Sequence, residues 1–185
     1  AVVSGQDVKR EGNYWVANIA KTFDVSASGS LELEKISGSV KVRGWDKNRV
    51  VIKEQKRMDI FSKREAEIAV EKTESGYKQR GNTITVGGPA FSRNWIQSSF
   101  DIMVPTGFDV EVESRGGSIS ATGIKGRIRG ATGGGGVNLT DIDGRVDLST
   151  GGGTVSLAGR LNDIDVTTGG GSIVIENGVG KNVDI

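Results

Sequence analysis

Four aspartates in the C-terminal half are the residues whose type and spacing come closest to an active or metal-binding site. Asp141 and Asp143 form one pair, and Asp163 and Asp165 form a second. Carboxylate groups of this kind bind calcium, and with Lys and Arg they serve in solenoid enzymes that cut acidic polysaccharides. This half of the chain has an 18-residue repeat, and the two pairs fall at different positions within it. They therefore do not stack into one column of neighbouring strands. A shared calcium cage is therefore not predicted, and calcium binding by these aspartates stays open.

Other catalytic chemistry is limited by two missing residue types, since the sequence has no Cys and no His. Thiolate nucleophiles, Cys/His zinc sites, structural disulfides and imidazole-based triads are thereby excluded. The Gly-rich stretches are not phosphate loops, because a phosphate loop carries a Lys and is followed by a helix. The sequence predicts no catalytic residue, no metal site and no cofactor, and we expect the protein not to be an enzyme.

Polar residues at outward positions of the repeat indicate a surface. Arg129 stands one repeat before Asp147, and opposite charges in such positions pair across neighbouring strands. Hydroxyl side chains form a partial ladder at Ser118, Ser120, Thr154, Ser156 and Ser172. The ladder is typical of an ordinary solvated β face, which we favour, but it would also suit a flat face that binds glycan or ice.

Aromatic residues are the remaining candidates for recognition, and none lies beyond Phe108. Phe91, Arg93 and Trp95 belong to a long predicted loop, where aromatics beside Arg are typical of a ligand or partner contact. Folding back over the open side of a sheet is the alternative role, which we favour for these side chains. A second apolar cluster near the N-terminus contains Tyr14, Trp15, Val16 and Ile19.

Length and composition limit the class of protein. The 185 residues suit one domain, and the near balance of 24 basic and 23 acidic residues argues against nucleic acid as the main partner. No apolar run approaches the roughly 18 residues of a transmembrane segment. The chain begins at Ala1 without an initiator Met, as a mature protein does after signal-peptide removal. We therefore expect an extracytoplasmic location: secreted, on the cell surface or in the periplasm.

An 18-residue repeat dominates the C-terminal part, where Ser114, Thr132, Thr150 and Thr168 each open a Gly-rich stretch. Alternating apolar pairs follow at Ile119 and Ala121, Val137 and Leu139, Val155 and Leu157, and Ile173 and Ile175. Alternation is the period of a strand with one buried face. Because one unit cannot bury its own apolar face, the repeat predicts stacked strands in an all-β solenoid with 18-residue coils. In the last unit the second apolar pair slips by one position, to Val183 and Ile185.

The predicted domain organisation is an N-terminal extension at residues 1–22 and a single solenoid domain at 23–185. Its parts are a first coil at 23–45, a more irregular β-rich segment at 46–107 and regular Gly-rich coils at 108–185. Strands are predicted at 50–56, 83–86 and 99–104, with a helical turn or another strand near 65–71. The surplus of basic residues in the middle segment is typical of a solvated strand edge, which we favour; a patch that binds an anionic surface is the alternative.

Two motifs connect the sequence to a known family. They are the Gly44-Trp45-Asp46 turn and the run Val104-Pro105-Thr106-Gly107, which precedes the serial Gly-rich repeats. In this order, residues 23–178 resemble a bacterial domain-of-unknown-function family catalogued as "putative adhesins". The resemblance implies a right-handed parallel β-helix in an envelope or secreted protein, and it supplies no catalytic residues.

The leading functional hypothesis is a structural surface protein that assembles head-to-tail into a filament from copies of itself. Uncapped solenoid ends favour such contacts. The predicted subunit contacts are Val2, Val3, Tyr14, Trp15, Val16, Ile19, Val183 and Ile185. The alternative is a monomeric adhesion or glycan-binding module that uses Phe91, Arg93 and Trp95. A polysaccharide-active β-helix enzyme is the third hypothesis.

Overall fold

The computed structural model describes residues 8–74, 76–87, 96–176 and 182–184. These residues form a 15-stranded sheet and one short helix, so the fold class is all-β. The elements of the N-terminal half are β1 (Lys9–Glu11), β2 (Tyr14–Asp24), β3 (Ser28–Ile36), β4 (Gly38–Trp45), β5 (Arg49–Met58), α1 (Lys63–Glu74), β6 (Tyr77–Arg80) and β7 (Thr83–Gly87). The C-terminal half contains β8 (Ile96–Pro105), β9 (Gly107–Ser114), β10 (Ile119–Thr122), β11 (Ile128–Thr132), β12 (Val137–Thr150), β13 (Val155–Thr168), β14 (Ile173–Glu176) and β15 (Asn182–Asp184).

The strands form two runs, which are joined because the long strands β12 and β13 contribute to both. The first run has the order β1-β2-β5-β8-β4-β10, followed by the N-terminal parts of β12 and β13 and by β14. The second run has the order β6-β7-β3-β9-β11, followed by the C-terminal parts of β12 and β13 and by β15. Among the described residues β1, β6, β14 and β15 each pair with a single neighbour, so the sheet is open.

The 18-residue spacing of the sequence recurs in the strand register. In the first run Ile119 pairs with Val137 and Val137 with Val155, in parallel. In the second run the offset changes at β15, where Ile164 pairs with Val183. This change is the one-residue slip that the apolar pattern predicts. Since each strand repeats the apolar positions of its neighbour, the buried face continues along both runs.

One hydrophobic core lies between the buried faces of the two runs. Alternate residues are buried along each strand, as Phe108, Val110 and Val112 are along β9. The close approach of the runs is visible at Gly130, where an added Cβ would lie 3.6 Å from Ile119 Cδ1. Burial of these aliphatic side chains, at about 25 cal/mol per Å² of apolar surface, is the main stabilising contribution.

Left-handed backbone conformations mark the bends at which the chain passes from one run to the other. Lys35 has a φ of 50°, Gly123 of 71° and Asp141 of 53°. Each precedes a buried isoleucine that anchors the bend, at Ile36, Ile124 and Ile142. A non-Gly residue in this region costs roughly 1–2 kcal/mol, less for Asp, so the anchoring isoleucines offset a local penalty at Lys35 and Asp141.

The N-terminal strands extend the first run with antiparallel pairing. β2 pairs with β5 over ten positions, from Trp15 opposite Met58 to Asp24 opposite Arg49, and β5 pairs with β8 in the same sense. Residues 14–22, which the sequence analysis assigned to an extension, therefore lie within the sheet. The limits of the predicted domain stay a prediction.

The middle segment contains the elements expected from its sequence. The predicted strands at 50–56, 83–86 and 99–104 lie inside β5, β7 and β8, and the helical alternative at 65–71 lies inside α1. α1 buries Ala66 and Val70 against Met58 in a second apolar cluster. It has 12 residues, and no helix in the described ranges is long and apolar enough to span a membrane.

The structure supports a more general description than the predicted right-handed β-helix. It is an open all-β sheet whose parallel strands keep an 18-residue register and whose first run ends in the antiparallel strands β5, β2 and β1. The winding and its handedness stay predictions.

Candidate ligand-binding groove

Several residues predicted to contact a ligand or another subunit lie outside the described residues, namely Val2, Val3, Phe91, Arg93, Trp95 and Ile185. Their roles stay predictions. Val183 lies in β15, a strand with a single neighbour, β13, in the part of the chain that the structure describes. Its backbone is therefore placed at one edge of the sheet.

The other predicted subunit contacts lie in β2 and differ in exposure. Tyr14 is 38% exposed, and its ring centroid lies 4.4 Å from Arg57 Cζ. Trp15 is half-buried against the cluster that includes Met58, whereas Val16 and Ile19 are buried within the chain itself. A second subunit would therefore meet Tyr14, and not the two aliphatic residues.

The aspartates of the repeat occupy structural positions. Asp141 is the left-handed residue of a bend, and Asp165 is in register with Asp147. Arg129 Nε donates a hydrogen bond of 3.2 Å to Asp147 Oδ2, which confirms the charge pairing predicted across these strands. Glu111 lies on the other side of Arg129, at 3.9 Å. Among the residues that the structure describes, no group of three or more acidic side chains could hold a metal ion.

A groove of about 760 Å³ crosses the solvent face of the first run. Five strands contribute to it, in the spatial order β2, β5, β8, β4 and β10. β8 and β10 lie far from β4 and β5 in sequence, so the groove exists only because long-range strand pairing brings these segments together. Its exposed lining consists mainly of amide, hydroxyl and charged side chains.

Two rows of side chains, in register across the strands, form the groove. The polar row contains Asn18, Gln55, Ser99, Ser39 and Ser118. The charged row contains Ala20, Lys53, Asp101, Lys41 and Ser120. Because successive residues of a strand alternate between its faces, these outward positions two apart share one surface. Short Ser and Ala side chains leave the sheet surface low between the longer ones, which explains the depression.

Hydrogen bonds fix part of this lining. Gln55 Nε2 donates to Asn18 Oδ1 at 3.3 Å. Asp101 accepts two hydrogen bonds from Arg43 Nη2, at 2.7 and 2.8 Å. Lys41 and Lys53 stand on either side of Asp101 in the charged row, and neither side chain has an ion pair or hydrogen bond within the described part of the chain. The groove therefore carries two positive charges without a partner.

A buried polar network lies beneath the groove, on the inner face of β5. Lys56 Nζ donates to Glu54 Oε1 at 2.5 Å and to Ser98 Oγ at 3.1 Å. Ser98 Oγ donates to Glu54 Oε1 at 2.6 Å, and the Tyr77 hydroxyl donates to Glu54 Oε2. The side chains of Glu54 and Lys56 are each 1% exposed. A buried pair of charges is tolerated when its remaining hydrogen-bonding capacity is satisfied in this way.

The network is closed to solvent, and each of its polar groups is engaged within the fold. Burial raises the pKa of the Tyr77 hydroxyl, and the adjacent Glu54 carboxylate raises it further, so Tyr77 remains a hydrogen-bond donor. A serine beside a lysine can act as a nucleophile when the lysine takes its proton. Here Lys56 is bound by a carboxylate, and Ser98 is 8% exposed.

The sequence analysis missed both the groove and the network. It assigns the basic residues of the middle segment, which include Lys56, to a solvated strand edge, and it does not single out Glu54. The alternation along β5 could have identified both residues. They occupy every second position together with Val50, Ile52 and Met58, which are buried, so they share the inward-facing side of the strand. The groove had a weaker signal in Ser118 and Ser120 of the predicted hydroxyl ladder, which line its β10 side.

Comparison with known proteins gives one distant structural similarity. No family model matches the chain, and no curated protein matches it, so the family resemblance stays a prediction. A crystal structure of a "putative cell adhesion protein" from Clostridium sporogenes is similar with a TM-score of 0.46 and 11% sequence identity, over 89% of this chain and 98% of that one. Because function depends on particular sites placed on a fold, the function of this chain has to be inferred from its own groove.

Proposed function

We propose that this protein is a non-catalytic module that binds glycans through the groove on its first strand run. The observation that carries the proposal is the pair of side-chain rows in register across five strands. A sugar chain presents hydroxyl groups at regular intervals along an extended polymer. Amide and hydroxyl side chains such as Asn18, Gln55 and Ser99 supply both donors and acceptors for such a ligand.

The position of the groove favours a glycan over an added peptide strand. A peptide that extends a sheet needs a free edge with unpaired backbone groups. The floor of the groove is formed by β5, β8 and β4, and each of these strands is paired on both sides. Recognition at this face must therefore use side chains, which suits a ligand rich in hydroxyl groups.

In this proposal the protein acts outside the cytoplasm as an adhesion or glycan-retention module. Its parallel strands wind as a right-handed β-helix, and the antiparallel strands β5 and β2 extend the sheet that forms the floor of the groove. The absence of Cys and His is in keeping with a role in binding without covalent catalysis. The sealed arrangement of Glu54, Lys56 and Ser98 supports the same interpretation.

Filling the groove tests the proposal. Ser99 is exposed at the centre of the polar row, between Gln55 and Ser39, so Ser99→Tyr places a ring where the ligand would lie. With neutral and acidic oligosaccharides in calorimetric titrations, we expect the wild type to bind at least one of them. The variant should bind it at least tenfold more weakly, a loss of about 1.4 kcal/mol.

The matched control is Ser149→Tyr. Ser149 is exposed on β12 in the second run, paired with Thr167, and it does not line the groove. It should bind as the wild type does, and both variants should keep the wild-type melting temperature within a few degrees. A wild type that binds no oligosaccharide, or a Ser99→Tyr variant that binds normally, would contradict the proposal.

Self-assembly into a filament is the second candidate function, and one observation favours it. β14 pairs only with β13 among the described residues, and its Val174 is 41% exposed. An uncovered parallel edge with apolar side chains can pair with another chain.

A further inference from the structure

We propose that the groove selects acidic glycans, whose carboxylate groups pair with Lys41 and Lys53. This inference rests on the glycan-binding function proposed above and specifies the class of sugar. It is carried by the partners of the four charged side chains in the lining: Asp101 and Glu54 are bound by other cations of the chain, whereas the ammonium groups of Lys41 and Lys53 have no partner among the described residues.

The acidic residues of the lining are already bound by cations of the chain. Asp101 accepts two hydrogen bonds from Arg43 Nη2, at 2.7 and 2.8 Å. Glu54 is satisfied on the inner face of the sheet, where Lys56 Nζ lies 2.5 Å from its Oε1. Neither carboxylate is left to neutralise a further cation, and neither needs a ligand.

The two lysines of the lining are exposed and have no such partner. The side chains of Lys41 and Lys53 have no ion pair or hydrogen bond among the residues that the structure describes. Ser39, Ser99 and Ser120 line the groove beside them without adding charge. A ligand with negative charges would therefore be attracted to this surface, whereas a neutral ligand would gain nothing from the lysines.

The register gives the spacing of the two charges. Lys53 on β5 is opposite Asp101 on β8, and Asp101 is opposite Lys41 on β4. Adjacent strands are separated by about 4.8 Å, so the Cα atoms of the two lysines are roughly 10 Å apart. A linear glycan that carries repeated carboxylates can meet both lysines at once, with its hydroxyl groups along the polar row of Asn18 and Gln55.

The experiment compares two probes with the same sugar backbone, one with carboxylates and one with uncharged methyl esters. Oligogalacturonate carries one carboxylate per sugar, and its fully methyl-esterified form has the same backbone without the charge. We expect the wild type to bind the acid form at least tenfold more tightly than the ester in low-salt titrations. The double variant Lys41→Gln/Lys53→Gln should lose about tenfold in affinity for the acid form and little for the ester.

The control is Lys78→Gln/Lys125→Gln, which removes the same net charge at exposed positions outside the groove. It should bind the acid form as the wild type does. Equal binding of acid and ester would overturn the charge inference and leave the glycan-binding function standing, whereas binding of neither would overturn both. Stronger binding of single-stranded DNA, lost in the same groove variant, would overturn the inference in favour of phosphate recognition.

Discussion

At the scale of single residues, the hydroxyl group of Tyr77 is expected to stabilise the fold by satisfying a buried charge. It donates a hydrogen bond to Glu54 Oε2, whose residue is 2% exposed. Tyr77→Phe removes this donor and leaves the carboxylate oxygen with one partner fewer. Because hydrogen bonds to buried charged groups are worth about 1.5–3 kcal/mol, the free energy of unfolding at pH 7 should fall by about 2 kcal/mol in urea titrations.

The pH dependence of the same variant has a defined sign. Burial raises the pKa of Tyr77 in the folded chain, whereas in the unfolded chain the phenol titrates near its ordinary value of about 10. Above that pH the unfolded chain releases a proton that the folded chain retains, so stability falls as the pH rises. The difference between the wild type and Tyr77→Phe should therefore shrink above about pH 10.

The control for Tyr77 is Tyr14→Phe, since Tyr14 is 38% exposed and its ring alone makes the contact with Arg57. At pH 7 this variant should match the wild type within about 0.5 kcal/mol. A Tyr77→Phe protein with unchanged stability at pH 7 would mean that the buried carboxylate does not depend on this hydroxyl group.

At the scale of elements, the corners of the later repeats are expected to tolerate no side chain at one position, which is occupied by Gly133, Gly151 and Gly169. An added Cβ on Gly133 would lie 2.1 Å from the Arg115 carbonyl oxygen, whereas on Gly134 it would meet nothing within 4 Å. Gly133→Ala must push two stacked corners apart, which we expect to cost about 1–3 kcal/mol. Gly134→Ala is its matched control and should change the free energy of unfolding by less than about 0.5 kcal/mol.

The reason is the parallel stacking of the repeats. The same clash recurs one repeat later, where a Cβ on Gly151 would lie 2.4 Å from the Gly133 carbonyl oxygen. Chemical denaturation of both alanine variants gives the difference directly. The geometry implies that the carbonyl oxygen of one corner packs against the Cα atom of the next corner. Equal stabilities of Gly133→Ala and Gly134→Ala would contradict this packing.

The strands of this fold could be predicted from sequence because their signal is local. The alternation of Val137 and Leu139, or of Val155 and Leu157, predicts which face of the strand is buried. The 18-residue spacing predicts which strands are neighbours. The slip at Val183 was predictable for the same reason. Local patterns of this kind need no knowledge of the rest of the chain.

The groove could not be predicted, because its parts meet only through pairing between distant segments. Nothing in the sequence around Lys53 indicates that Asp101 lies opposite it, or that Lys41 lies beyond Asp101. Antiparallel pairing of β5 with β2 and β8 interrupts the repeat and has no periodic signal. The residues chosen from sequence, such as Trp95, had conspicuous side chains, whereas the groove is built largely from Ser, Ala, Asn and Lys.

At the scale of the whole molecule, the two ends of the first run differ. The first run ends on one side in the antiparallel strands β2 and β1, and on the other in the parallel strand β14. Along the repeats, Val155 and Leu157 are 0% exposed, whereas Ile173 and Ile175, in register with them on β14, are only partly buried. A further strand on β14 would complete their burial, and in the second candidate function a neighbouring copy of the chain supplies it.

Self-assembly through β14 predicts that a charge on its core-facing side prevents association. Ile175→Lys places an ammonium group where an incoming strand would pack, a device that natural edge strands use against pairing. In sedimentation measurements over a concentration series, the average mass of the wild type should rise while the variant stays monomeric. Asn138→Lys, an exposed position on β12 two strands away in the same run, should associate as the wild type does. A wild type that stays monomeric at every concentration would leave glycan binding as the function to pursue, because a monomer needs only the groove to act.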